Sequence, residues 1–208
     1  NSEGMNMVPI SGGWWVSRYE TTQAQYESLM KINPSLFKDP QRPVERVSWN
    51  KAREYCKRLT EVERKAGRVP PAFCYRLPTL IEFEQFSKGT SISNAVLAGS
   101  ELHWHTQPVG SLPANPEGLN DVVGNVWEWT ATKTCNTCNQ MVTKGGAWGG
   151  NWSTSVIEKF SPSFDGADHP EHRSAEAAHH AHLFHPDGLH GHGHHAHRLA
   201  AVRAGVPT

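Results

Sequence analysis

The side chains in this sequence with the means to do chemistry fall into four groups. Cys135-Asn136-Thr137-Cys138 has the CxxC spacing. That spacing suits a zinc half-site, a small disulfide loop or a redox pair. No second CxxC accompanies it, so a disulfide or plain loop cysteines is the simpler expectation. Cys56 and Cys74 sit in helix-like and strand-like apolar stretches and read as core residues. Asn125 and Glu128 interrupt an apolar run containing Val126, Trp127 and Trp129. A carboxylate among such neighbours is costly unless it is paired or metal-bound. The pair offers hard oxygen ligands of the kind calcium takes. The plainer alternative is a carboxylate satisfied by backbone N–H groups. Finally, eleven of the thirteen histidines lie between His169 and His197. Imidazole suits zinc, nickel and copper, which makes His192, His194, His195 and His197 candidate ligands of a metal-binding tract.

The surrounding composition limits what these groups serve. The chain has 208 residues, with 20 basic and 20 acidic side chains. Zero formal net charge argues against a nucleic-acid or anionic-membrane binder. No apolar run approaches the ~20 residues of a membrane span. The sequence opens Asn1-Ser2-Glu3-Gly4, without a start Met or a signal-like segment, as expected of a mature or trimmed product. The length suits a single domain, 1–208. All eight Trp lie between Trp14 and Trp152, so an aromatic-rich body precedes a tail rich in His, Ala and Gly. We divide the chain into a scaffold, 1–151, and a variable or His-rich segment, 152–208.

Local patterns predict the elements that must hold these groups. Met7–Ile10 and Trp14–Val16 read as short strands. Thr22 with Gln25 forms a capping box that opens a helix burying Tyr26, Leu29 and Met30. This helix ends before Asn33-Pro34. A second helix starts at Ser48 and buries Trp49, Ala52, Cys56 and Leu59, with Arg53, Glu54, Lys57 and Arg58 on a solvated face. Gly67 and Pro70-Pro71 stop it. Thr79 with Glu82 caps a third helix, whose buried stripe is Phe83 and Phe86. After Gly89 about 30 irregular residues need internal support from tryptophans or a metal. The glycines around Trp148 imply positive φ or a closely approached backbone.

Five ordered motifs give the chain a family resemblance. They are Arg18-Tyr19-Glu20-Thr21-Thr22-Gln23-Ala24-Gln25-Tyr26, Arg42-Pro43-Val44-Glu45-Arg46-Val47-Ser48-Trp49, Tyr75-Arg76-Leu77-Pro78-Thr79, Gly118 through Trp129, and Gly145-Gly146-Ala147-Trp148. Together they resemble the formylglycine-generating-enzyme (sulfatase-modifying factor) domain over about residues 7–152. The resemblance implies an α+β, C-type-lectin-like fold, with two or three helices around short twisted antiparallel sheets and much irregular loop. It also implies calcium near Asn125 and Glu128. Leu80 and Lys51 depart from the family, which carries acidic residues there; both departures read as surface matters of helix capping.

The same resemblance argues against the family's known chemistry. Its oxidases resemble copper enzymes with two cysteines after the glycine motif, and here no Cys follows Cys138. The soft thiolate ligands that Cu(I) needs are therefore missing from the required segment. Its iron-dependent sulfoxide synthases carry an added helical domain, for which these residues leave no room. The expectation is a non-enzyme.

The tail suggests what replaces catalysis. Residues 161–208 contain no Lys, Gln, Met, Trp, Tyr, Asn or Cys, whereas the body holds nine Lys. A metal tract and a disordered or out-of-frame extension are two explanations. A third is that the tail resembles the variable region of diversity-generating-retroelement proteins. There, template adenines are replaced at random, so an Asn codon becomes His, Asp, Ala, Gly, Leu, Phe, Pro, Ser, Val or Arg, but not Lys, Gln, Met, Trp or Glu. Only Glu171 and Glu176 break this rule. Arg173-Ser174-Ala175, Pro186 and Arg198-Leu199-Ala200 resemble family remnants, with His197 where Phe is expected. This resemblance implies a hypervariable ligand-binding surface with an unknown ligand, expected to be a protein, and favours cell-surface or exported placement over cytoplasmic. The candidate contacts are Trp152, Ser155, Ile157, Phe160, His169, His172, His182, Phe184, His185 and His190. No cofactor is required, and calcium is the one the resemblance suggests. Binding through exposed imidazoles would be sensitive to pH near ~6.5. The competing expectations are a metal-dependent oxidase of the formylglycine-generating type and a His-rich metal-binding module.

Overall fold

In a computed structural model, residues 3–96, 105–147, 158–160, 197–198 and 202–205 are described. The chain begins with a hairpin of β1 (Met7–Ile10) and β2 (Trp14–Ser17), in register Met7↔Ser17 to Ile10↔Trp14. Helix α1 (Gln23–Met30) opens with the anticipated box: Gln25 N–H donates to Thr22 Oγ1, and Thr22 N–H donates back to Gln25 Oε1. It closes at Lys31 in the left-handed region. Helix α2 (Trp49–Lys65) starts at Ser48, and α3 (Leu80–Phe86) starts at a Thr79–Glu82 box. Strand β3 (Phe73–Arg76) lies between α2 and α3, and a short 3-10 turn at Ile92–Asn94 follows α3.

The remaining strands are β4 (Trp127–Lys133), β5 (Met141–Lys144), β6 (Glu158–Phe160), β7 (His197–Arg198) and β8 (Val202–Gly205). They build two four-stranded sheets, ordered β1-β2-β8-β3 and β6-β5-β4-β7. The expectation of antiparallel sheets holds for every pair except β4 and β7, which are parallel. β8, from the segment after residue 152, pairs on one side with β2 and on the other with β3.

Two apolar clusters fill the body. The larger joins Tyr26 and Met30 of α1, Ala52, Tyr55, Cys56 and Leu59 of α2, Tyr75 of β3, Trp129 of β4 and Met141 of β5. Tyr26 and Tyr55 stack with centroids 5.5 Å apart. The smaller joins Ile10, Trp14, Val16, Phe83, Phe86, Leu119 and Val122. Trp49 differs from the expectation of a core residue. It is half-buried, its indole N–H donates to Thr130 O at 2.8 Å, and the Arg53 guanidinium lies over its ring at 4.7 Å. The opposite face of α2 is solvated, and its Lys51–Glu54 and Arg58–Glu54 pairs are each worth only about 0.3–0.5 kcal/mol. Both departures from the family pattern sit at helix starts: Lys51 N–H donates to Ser48 Oγ, and Leu80 N–H donates to Thr132 Oγ1.

Among the described residues, the irregular stretch after Gly89 is held by polar side chains that pair with its main chain. Asn115 Oδ1 accepts from Glu117 N–H and Leu119 N–H, while its NH2 donates to Phe86 O and Thr90 Oγ1. Asn120 NH2 donates to Leu112 O, and its oxygen accepts from Arg18 Nε. Asp121 accepts from Gly110 N–H at 2.6 Å. A short carboxamide carries both a donor and an acceptor, so it satisfies main-chain groups that have no ladder partner.

One glycine in this region is sterically obligatory. Gly124 has φ +87°, and a Cβ there would lie 2.5 Å from Val96 O and 2.8 Å from Val96 N. Both are backbone atoms and cannot rotate away. Gly124→Ala is therefore expected to cost about 3 kcal/mol or more, combining left-handed strain with displaced backbone. Urea unfolding midpoints of the two proteins measure it, and equal midpoints would contradict it.

Candidate functional site

The predicted recognition segment is anchored by the second sheet. β5 and β6 pair at Met141↔Phe160, Val142↔Lys159 and Thr143↔Glu158. β4 and β7 pair at Trp127↔His197 and Glu128↔Arg198. β6 and β7 therefore run in the same direction at opposite edges, three strand spacings or roughly 14 Å apart. Residues 161–196 thus link the end of β6, at one edge, to the start of β7, at the other. In that sheet, Trp127, Glu128, Trp129, Thr130 and Met141 through Lys144 are all buried.

Asn125 and Glu128 sit where this sheet begins. Asn125 takes φ +58°, a conformation that Asn tolerates better than most residues. Its Oδ1 accepts from Gln107 N–H at 2.9 Å, and its NH2 donates to Glu20 Oε2 at 2.6 Å and to Gln107 O at 3.2 Å. Glu128 is fully buried, and its register partner on β5 is the buried Lys144. The Asn125 carboxamide thus has protein partners on both its oxygen and its nitrogen. Among the described residues, no group of three or more His, Cys, Asp or Glu side chains is disposed to hold a metal ion. Gly145 closes the corner. With φ +95°, a Cβ there would meet Val122 O at 3.1 Å, and Gly145 O accepts from Gly124 N–H.

Glu20 was not anticipated at this position. It is 1% exposed and reaches Asn125 from 105 residues away. Its place in the first shared motif was the available signal. Trp152, Ser155, Ile157, His169, His172, His182, Phe184, His185 and His190 lie outside the described residues, as do Trp148, His192, His194 and His195. Phe160 is placed at the end of β6 and His197 at the start of β7.

The cysteines are accounted for. Cys135 and Cys138 form a disulfide in the β4–β5 hairpin. Cys56 is buried on α2, and burial first, then the neighbouring Cys74, pushes its thiol up to about 12. A thiol so strongly protonated is a poor nucleophile and a poor metal ligand.

Two carboxylates give the body opposite responses to pH. Burial raises Glu45 above its ordinary 4.5, partly offset by the Phe37 and Leu36 N–H groups that it accepts. Its contribution is fully present below the unfolded value and is lost as pH rises through the folded one. For Glu82, burial pushes upward, but the two-pronged Arg76 pair and Thr79 N–H hold the net value below 4.5. Its contribution is present above the unfolded value and is lost as pH falls through the folded one. Glu45→Gln is therefore expected to raise Tm at pH 7, a difference that shrinks as pH falls toward 4.5 and is gone below it, and Glu82→Gln to lower Tm, a difference that persists down to 4.5 and is lost as pH falls further. Melting curves from pH 3 to 8 check this; pH-independent differences would contradict it.

Comparison with known proteins agrees with this architecture. The sulfatase-modifying factor enzyme 1-like domain model matches residues 4–177. Chaperone protein LppX of Paenibacillus barcinonensis is 30% identical over 202 aligned residues, covering 69% of this chain and 72% of that protein. Inactive C-alpha-formylglycine-generating enzyme 2 of Bos taurus is 37% identical over 122 residues, covering 51% of this chain and 38% of its own. The chain thus spans well under half of that relative's length. Treponema denticola variable protein 1 superimposes with a TM-score of 0.62 at 20% identity, covering 76% of this chain and 87% of that one. The described residues include no helix long and apolar enough to cross a membrane. The chain belongs to the sulfatase-modifying factor enzyme 1-like domain family.

Proposed function

We propose that this chain is a non-catalytic, ligand-binding member of the family that displays residues 152–198 as a selectable recognition surface, varied by a diversity-generating retroelement. The observation that carries this reading is the anchoring of residues 161–196. Both of their ends are pinned by strand pairing to one buried sheet, and the two described apolar clusters draw on residues 5–141. A surface that accepts wholesale substitution needs firm ends and a core supplied from elsewhere. Contacts would come from Trp152, Ser155, Ile157, Phe160, His169, His172, His182, Phe184, His185 and His190, with a few aromatic and imidazole anchors supplying most of the affinity. The reading requires no cofactor.

Four further findings support it. No cysteine follows the glycine motif, so the oxidase chemistry lacks its thiolates. The fold is that of a protein named as variable. One relative is named inactive and another a chaperone protein, which accords with a protein partner. A disulfide in the β4–β5 hairpin accords with cell-surface or exported placement.

Sequencing the same locus in sibling isolates tests the proposal. Differences should concentrate in codons 152–198 and follow the adenine rule. Differences spread evenly along the gene would reject it, as would copper-dependent oxidation of a Cys-containing peptide by the purified chain.

A further inference from the structure

The recognition reading leaves the Cys135–Cys138 disulfide without a role. It sits at the tip of the β4–β5 hairpin, outside both apolar clusters. Cys135 is exposed and Cys138 half-buried. The loop is already closed without it: Thr134 N–H donates to Gln140 O at 3.0 Å, and Cys138 N–H donates to Cys135 O at 3.2 Å. A cross-link stabilises mainly by shrinking the unfolded ensemble, and the effect grows with the loop it closes. A bridge spanning three residues, in a hairpin that main-chain bonds already hold, has little to contribute. The sulfurs are instead placed for attack.

We propose that Cys135–Cys138 is a thiol–disulfide exchange site whose reaction partner is a protein carrying a reduced dithiol. The partner's thiolate attacks Sγ of Cys135, the more exposed residue, forming a mixed disulfide and releasing Cys138 as thiolate. A second partner thiol, deprotonated, attacks the partner's own sulfur in that mixed disulfide and releases Cys135 as thiolate. The partner leaves as a disulfide; two electrons pass to this chain, and its two thiolates take up the two protons given up by the partner. Thr137 Oγ1 lies 3.5 Å from Cys135 Sγ and is placed to donate to that thiolate. Cys56 stays out of the exchange because it is buried, and Cys74 lies on β3, away from the β4–β5 hairpin in the chain. This site is independent of residues 152–198, so either proposal can fail alone.

The test uses the full chain under native conditions. Dithiothreitol is raised stepwise, thiols are capped with N-ethylmaleimide, and peptides are weighed. Cys135 and Cys138 should both become capped at reductant levels that leave the far-UV spectrum unchanged, with Cys56 unmodified. Replacing both by Ser should shift Tm by no more than about 2 °C. With oxidised glutathione, the Cys138→Ser protein should form a mixed disulfide at Cys135 about tenfold faster than the Cys135→Ser protein does at Cys138. Reduction that occurs only as the protein unfolds would overturn the proposal. So would a Tm loss beyond about 5 °C in the double variant, which would mark a structural staple, or equal rates for the two single variants.

Discussion

Ending the chain at residue 201 is expected to unfold most of the body, although the removed residues lie at the far end of the sequence from the sheet they support. β8 is an interior strand. It pairs with β2 at Trp15↔Arg203 and Val16↔Val202, and with β3 from Phe73↔Gly205 to Arg76↔Val202. Among the described strands, β3 has no other partner. Each lost backbone hydrogen bond is worth about 0.5–1.5 kcal/mol net, so several together approach the ~5–15 kcal/mol that holds a typical domain folded. The damage spreads, because β3 carries Tyr75 into the larger cluster and holds Arg76 against Glu82. Far-UV and near-UV spectra with a urea titration measure the loss, and an unchanged midpoint would refute the interior placement of β8. Ala204→Pro supplies a single-residue version: it faces Cys74 across the ladder, and proline is not tolerated in an interior strand. Substitutions at codons 161–196 should leave the midpoint unchanged if that segment is free to vary.

Trp129→Ala is expected to lower Tm by roughly 10–20 °C. Trp129 is fully buried in the larger cluster, on the central part of β4. Truncating a buried Trp to Ala costs about 3–5 kcal/mol through lost burial and the cavity left behind. A further ~1 kcal/mol follows because the indole N–H donates to Val47 O at 2.8 Å, and that carbonyl loses its partner. The bond also has a topological role. Trp129 ties β4 to the segment entering α2, and Trp49 at the start of α2 returns a bond to Thr130 O. The two indoles thus lace the start of α2 to the second sheet. Trp129→Phe keeps most of the volume and loses only the bond, so it should retain most of the stability. Calorimetry on both variants separates the two contributions, and a loss for Ala no larger than that for Phe would contradict the cavity argument.

Much of the helical structure was legible because its signals are local. The Thr22–Gln25 and Thr79–Glu82 boxes, the Ser48 cap and the apolar spacing of α2 each involve residues within one turn. Such patterns state what a short segment prefers before anything else is known. The short strands β1 and β2 were readable for the same reason, while their pairing came from the structure. The supports of the irregular stretch were not. Asn115, Asn120 and Asn125 look like ordinary loop residues until their partners arrive from Phe86, Arg18 and Glu20. The candidate recognition residues were chosen by alphabet and family likeness, and the contribution of the tertiary structure is to place the strands on either side of them.

By itself the sequence determined the family, the three helix starts, the apolar stripes that face the core, and the missing thiol pair after the glycine motif. Only the tertiary structure decided that CxxC is a disulfide, that Asn125 grips Gln107 and Glu20, and that Val202–Gly205 lies between β2 and β3. The physical reason is range. Caps and periodicity are interactions between residues three or four apart, whereas a strand's neighbour is selected by the burial and pairing of segments nearly two hundred residues away.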